Sequence, residues 1–233
     1  MYKSKSFLLT SLLIATSGFS QAADLEITIT NLTQGTYFTP VITAAHASDL
    51  SMFTLGQAAS AELQMMAEGG DISGLSSVLI NANADVIENP AAGLLGPAAS
   101  TTYMMTNADS NTHLSMTTMI LPTNDGFVGL NSWEIPEEAG TYTVYLNAYD
   151  AGTEANNEVV NGGGAPGILG IPAAPGGLAG TGGTGVTDME ENTNIHIHRG
   201  NLGDDDLAGG KSDINNTVHR WLNPVAKMTI VVQ

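Results

Sequence analysis

Over residues 141–149 apolar and polar side chains alternate, with Tyr142, Val144, Leu146 and Ala148 on one face. Successive side chains of a strand point to opposite sides, so this period of two describes a half-buried β-strand and excludes an amphipathic helix. The same pattern stands at residues 25–30, where Leu25, Ile27 and Ile29 alternate with Glu26, Thr28 and Thr30. Further strand candidates fall at 37–45, 77–81, 113–121, 127–130, 194–199 and 225–232, with turn-forming residues between most of them. Pro40 lacks an N–H for the ladder and pushes the 37–45 stretch toward a sheet edge. One helix is predicted over 55–68, where Leu55, Ala59, Leu63 and Met66 recur three or four apart before Gly69-Gly70. Many short strands with Asn, Gly, Asp and Pro connections predict an all-β fold, an antiparallel β-sandwich with one short helix.

Residues 161–185 interrupt this pattern with eleven glycines and three prolines in 25 positions. Such a composition forms no packed core of its own and reads as a long flexible Gly-rich loop. The strands after it are expected to return to the same sandwich, which makes 23–233 a single domain. Residues 1–22 read as a signal peptide: Lys3 and Lys5 precede an apolar run from Phe7 to Ile14, and Ser20-Gln21-Ala22 supplies a small-x-small cleavage site. That run is shorter than the roughly 20 residues a spanning helix needs, and no transmembrane segment is expected elsewhere. Export to the periplasm or the extracellular space follows. The absence of cysteine fits a bacterial protein better than a disulfide-stapled animal ectodomain.

Beyond Lys3 and Lys5 four basic residues (Arg199, Lys211, Arg220, Lys227) face 23 acidic ones. A surface so charged repels nucleic acid, which is excluded as a partner. The carboxylates concentrate in three loops: Thr123-Asn124-Asp125-Gly126, Asp150-Ala151-Gly152-Thr153-Glu154 and Gly203-Asp204-Asp205-Asp206. Calcium takes six to eight oxygens, which acidic loops at strand ends converge to provide. Asp-Gly and Asn-Asp pairs also form plain turns, so spacing alone leaves both readings open. A second constellation is Glu190-Glu191-Asn192-Thr193-Asn194-Ile195-His196-Ile197-His198-Arg199. In a strand His196 and His198 share a face, the arrangement for one zinc or copper ion, with His46, His113 or His219 as a third ligand. This rival describes a periplasmic zinc- or copper-binding protein or metalloenzyme. The chain has no cysteine nucleophile and no G-x-S-x-G elbow, and the leading expectation is a protein that is not an enzyme.

Leu121-Pro122-Thr123-Asn124-Asp125-Gly126-Phe127-Val128-Gly129, followed at a strand's length by Tyr149-Asp150-Ala151-Gly152-Thr153-Glu154, resembles the spondin N-terminal domain of F-spondin and mindin. Ile29-Thr30-Asn31-Leu32-Thr33, Phe38-Thr39-Pro40 and Asn223-Pro224-Val225-Ala226 extend the likeness to bacterial members. The chain departs from the family pattern at Gly126-Phe127, where a single Trp is expected, and at Glu154, where Asp is usual. The resemblance implies a sandwich similar to calcium-dependent lipid-binding domains, with calcium held by Asp125, Asp150 and Glu154. It further implies a secreted, non-enzymatic module for adhesion, meeting an extracellular glycan, matrix or protein partner.

Overall fold

The computed structural model describes residues 24–233, so the expected signal peptide lies outside the described residues. Its strands are β1 (Asp24–Asn31), β2 (Tyr37–Phe38), β3 (Ile42–His46), β4 (Asp85–Glu88), β5 (Ser100–Thr106), β6 (His113–Leu121), β7 (Gly126–Glu134), β8 (Gly140–Asp150), β9 (His196–Ile197) and β10 (Ala226–Val232). All pair antiparallel in the order β4-β3-β6-β7-β8-β10-β1-β5, with β2 also on β6 and β9 on β8. The two ends of this order approach each other, because Asp85 Oδ2 accepts Ala108 N–H at 2.7 Å and Asn111 Nδ2–H at 2.8 Å. The expected sandwich is thus one sheet curled into a nearly closed barrel, its two halves facing across a common core. The strand that follows the Gly-rich segment does return: β10 sits between β1 and β8.

The alternation that defined the strands decides which side each residue takes. Leu25, Ile27 and Ile29 are wholly buried inside the barrel with Leu146, Ala148, Met228 and Ile230. On the outside of the same strands Thr28 and Thr102 share a hydroxyl hydrogen bond of 2.8 Å, as do Thr30 and Ser100. Strand β6 departs from alternation because both its faces are covered. Leu114, Met116 and Ile120 join the barrel core, while Met119 and Leu121 join a second cluster under the helices.

That second cluster corrects one strand expectation. Residues 77–81 are the end of helix α2 (Ser73–Asn81), in which Leu75 and Leu79, one helical turn apart, are buried. A five-residue stretch with three apolar residues carries no period long enough to separate strand from helix. Helix α1 (Ala61–Gly69) occupies the second half of the segment predicted to be helical. The Ser60 side chain caps its start by accepting Leu63 N–H at 3.1 Å, and Gly70 ends it in the left-handed conformation. Pro40 breaks the 37–45 stretch into β2 and β3, yet β3 is interior, between β4 and β6, because the proline falls in the gap between the two strands. Strands β4 and β5 were not expected: Asp85–Glu88 is too short to show a period, and Ser100–Thr106 is mostly polar or exposed.

Leu63, Met66, Leu75 and Leu79 press the helices onto the outer side of β3, β6 and β7 around Phe127. The Phe127 ring is completely buried, 5.1 Å from the Phe53 ring in an edge-on contact and 5.6 Å from Tyr149. Phe127→Ala is expected to cost about 3–5 kcal/mol in urea denaturation; a loss below about 1 kcal/mol would show that this cluster does not hold the helices.

Candidate metal centre

Three strands end side by side at one end of the barrel. Gly126 opens β7 opposite Asp150, the last residue of β8, and Asp150 in turn faces His196 of β9. Asp150 continues the inward face of Leu146 and Ala148, so a carboxylate takes the place of an aliphatic side chain where the barrel core meets its rim. The chain then turns at Ala151-Gly152. Gly152 N–H donates to Asp150 Oδ1 at 2.9 Å, and Gly152 adopts a φ of 70°. A Cβ at this position would stand 2.6 Å from the Thr193 carbonyl carbon, so the turn requires glycine for both conformation and space.

This turn aims its next N–H groups at the neighbouring loop. Asp125 Oδ2 accepts Thr153 N–H at 2.8 Å, Glu154 N–H at 3.1 Å and the Thr153 hydroxyl at 3.2 Å. Asp125 Oδ1 is buried with no partner. Burial, and then the adjacent Asp150 carboxylate, push the Asp125 carboxyl up to about 8 despite those donors. Glu154 leaves the turn toward the Gly-rich loop, where its Oε2 accepts Gly170 N–H at 3.0 Å and Asn124 Nδ2–H at 3.1 Å. Its Oε1 is also buried and without a partner. Burial pushes this carboxyl up to about 7, with a further contribution from Glu68. Asp125 and Asp150 therefore adjoin, whereas the Glu154 carboxylate is engaged with a different set of groups.

The two histidines share a strand face but do different things. His196 Nδ1 lies 2.8 Å from the Asn194 carbonyl, which only accepts, so Nδ1 carries a proton and Nε2 faces Asp150 Oδ2 at 3.8 Å. His198 Nδ1 accepts Gly200 N–H at 2.9 Å, leaving its proton on a buried, partnerless Nε2. Gly126 makes room for that ring, since a Cβ there would come within 3.1 Å of His198 Nε2. Burial pushes the His198 imidazole down to about 4, against the opposing pull of Asp150. His46 and His113 stack on each other across β3 and β6 and are not members of the group at the barrel end; His219 also lies outside that group.

Among the described residues Asp150, Glu190 and His196 each offer one ligand atom, all within 4.8 Å of one another. Asn156 Nδ2 links the two carboxylates, at 2.7 Å from Asp150 Oδ2 and 2.9 Å from Glu190 Oε1. Burial works against a charged Glu190, but hydrogen bonds from Arg199 and Asn156 outweigh it and hold that carboxyl below its usual range. Sequence reasoning placed Glu190 in the histidine constellation without a ligand role and missed Asn156 altogether. Neither stands in a periodic segment, and the one available signal was the crowding of Glu190 with His196 and His198 in one short stretch. The third acidic loop is a turn: Asp204 Oδ2 accepts the N–H groups of Lys211 at 2.8 Å and Ser212 at 2.9 Å.

A family model described as Spondin_N matches residues 30–159, more than half of the chain. The chain belongs to the spondin N-terminal domain family. The spondin match runs from the end of β1 through β8 and includes Asp125, Asp150 and Glu154, while Glu190, His196 and His198 lie beyond it. A comparison with curated proteins finds no match. The spondin domain is an extracellular-type module, and among the described residues no helix is long and apolar enough to cross a membrane.

The raised carboxyls set a pH dependence. Asp125 and Glu154 rise from ordinary values of 3.8 and 4.5 to about 8 and about 7 in the fold. The folded state therefore binds more protons than the unfolded chain between these values, so stability is greatest below about 4 on this account and falls as pH rises toward 8. In chelator the melting temperature is expected to drop between pH 5 and pH 8, and Asp125→Asn to flatten that drop; a melting temperature that rises over this interval would refute the assignment.

Proposed function

We propose that this chain is a secreted, non-enzymatic spondin module that binds calcium at the barrel end and presents the loops fixed there to an extracellular partner. The observation that carries the reading is a buried carboxylate oxygen without a partner, Asp125 Oδ1, adjacent to the buried Asp150, with a second such oxygen, Glu154 Oε1, on the turn that follows. Burying a carboxylate without a counter-charge is costly, and a hard divalent cation supplies the missing charge to oxygen ligands. Asp125 and Asp150 are the primary ligands in this reading, and Glu154 joins from the same turn. Calcium would also remove the penalty that burial and mutual repulsion impose on these groups.

The partner in this proposal is a surface glycan, a matrix component or a protein, engaged by loops that the cation orders. Export through residues 1–22, to the periplasm or beyond the cell, belongs to the same reading. Calorimetric titration of chelator-treated protein with calcium is expected to give a binding heat that Asp125→Asn abolishes. At 100 times Kd the ion should add about 2.7 kcal/mol of stability. Neither heat nor thermal shift in the wild type would end the calcium proposal.

A further inference from the structure

We propose that Asp150, Glu190 and His196 form a site for a divalent transition cation, zinc above all, next to the calcium ligands but chemically distinct from them. The starting point is an unfavourable juxtaposition. His196 donates its Nδ1 proton to the Asn194 carbonyl, so in the neutral ring Nε2 turns a lone pair toward the Asp150 carboxylate at 3.8 Å, where the protonated ring forms an ion pair instead. In that neutral form two acceptors face each other at a distance too long for a hydrogen bond. A cation between them turns repulsion into two bonds.

The dimensions suit such an ion. Zinc binds nitrogen and carboxylate oxygen at roughly 2.0–2.2 Å, so two donors sharing one ion stand at most about 4.3 Å apart. Asp150 and His196 fall inside that limit, and the full group lies within 4.8 Å, with Glu190 Oε1 held at its edge by Arg199 and Asn156. The Nδ1 bond to Asn194 is the outer contact that fixes the tautomer and plane of a ligating histidine. Asp150 is held by Gly152 and Asn156, and His196 by its register against β8, so these two donors are already placed.

Ligand chemistry separates this site from the calcium one. Calcium takes oxygen donors, whereas an imidazole with two carboxylates favours zinc and its neighbours. Two carboxylates offset the charge of one divalent ion, and the Arg199 guanidinium, paired with Glu190 through Nη1 and Oε1 at 2.6 Å, adds one positive charge at the edge of the site. The His196 side chain is 28 % exposed and that of Asp150 2 %, which leaves one side open for ion entry and for water as a fourth ligand. His198 is not part of the site, because its Nε2 carries the proton and is packed against Gly126. The proposal stands apart from the calcium reading, although Asp150 serves both.

Titration of chelator-treated protein with zinc chloride, in a background of excess calcium, tests the site. One equivalent of zinc should bind to the wild type. His196→Ala and Glu190→Gln should each weaken binding at least tenfold, while His198→Ala and Asp125→Asn should keep it. Calcium binding should survive His196→Ala and be lost in Asp125→Asn, so the failure of either site is read separately. Ring-proton NMR of the unmodified protein gives a second readout that needs no variant: zinc should shift the His196 ring signals and leave the His198 signals in place. Absence of stoichiometric zinc binding, undiminished binding in His196→Ala, or a shift confined to His198 would overturn the proposal.

Discussion

The grip of one carboxylate oxygen, Asp125 Oδ2, on the N–H groups of Thr153 and Glu154 and on the Thr153 hydroxyl joins the turn before β7 to the turn after β8. Those two turns belong to neighbouring strands whose last ladder pair is Gly126 and Asp150. The hydrogen bonds place Asp125 and Asp150 next to each other in a poorly hydrated environment, where two negative charges repel strongly. The calcium proposal for this end of the barrel follows from that enforced proximity. A structure that buries acids this way either protonates them or recruits a cation, and the protein's excess of acidic over basic side chains supplies few lysines or arginines to do it internally.

The acidic character of the chain also has a structural use. The long irregular region between β8 and β10 offers many backbone N–H groups with no sheet to receive them, and buried carboxylates accept them instead. Glu154 takes Gly170 N–H, Glu68 of α1 takes Gly167 N–H, and Asp213 takes the N–H groups of Val160 and Gly183. Glu158 accepts from Leu202 and Gly203 and from the Ser212 hydroxyl. The Gly-rich segment is thereby tied to helix α1 and to the acidic turn, and Ile171 within it is fully buried. Glycine permits the close backbone approach, and the carboxylates supply the fastening. The same residues that make the chain acidic thus order its least regular part.

Local sequence determined the strongly patterned strands and the side that each of their residues takes. Alternation at 25–30 and 141–149 fixed β1 and β8, and the Asp-Ala-Gly-Thr turn announced both its glycine and its family. Side-chain direction in a strand is set by the backbone itself, so a period of two survives without knowledge of neighbours. The acidic loops were legible as well, because Asp125 and Asp150 border strongly patterned strands.

Tertiary structure alone decided how those pieces meet. It converted two facing sheets into one curled sheet, turned residues 77–81 into helix, and put Glu190 beside Asp150 across 40 positions of chain that carry no period. It also separated two histidines that looked equivalent. His196 and His198 share a strand face, but a carbonyl two residues before the first and an N–H two residues after the second fix opposite tautomers. Sequence states which groups a chain owns and which way a regular backbone points them; hydrogen-bond partners from distant segments decide which atom of each group is left free to bind.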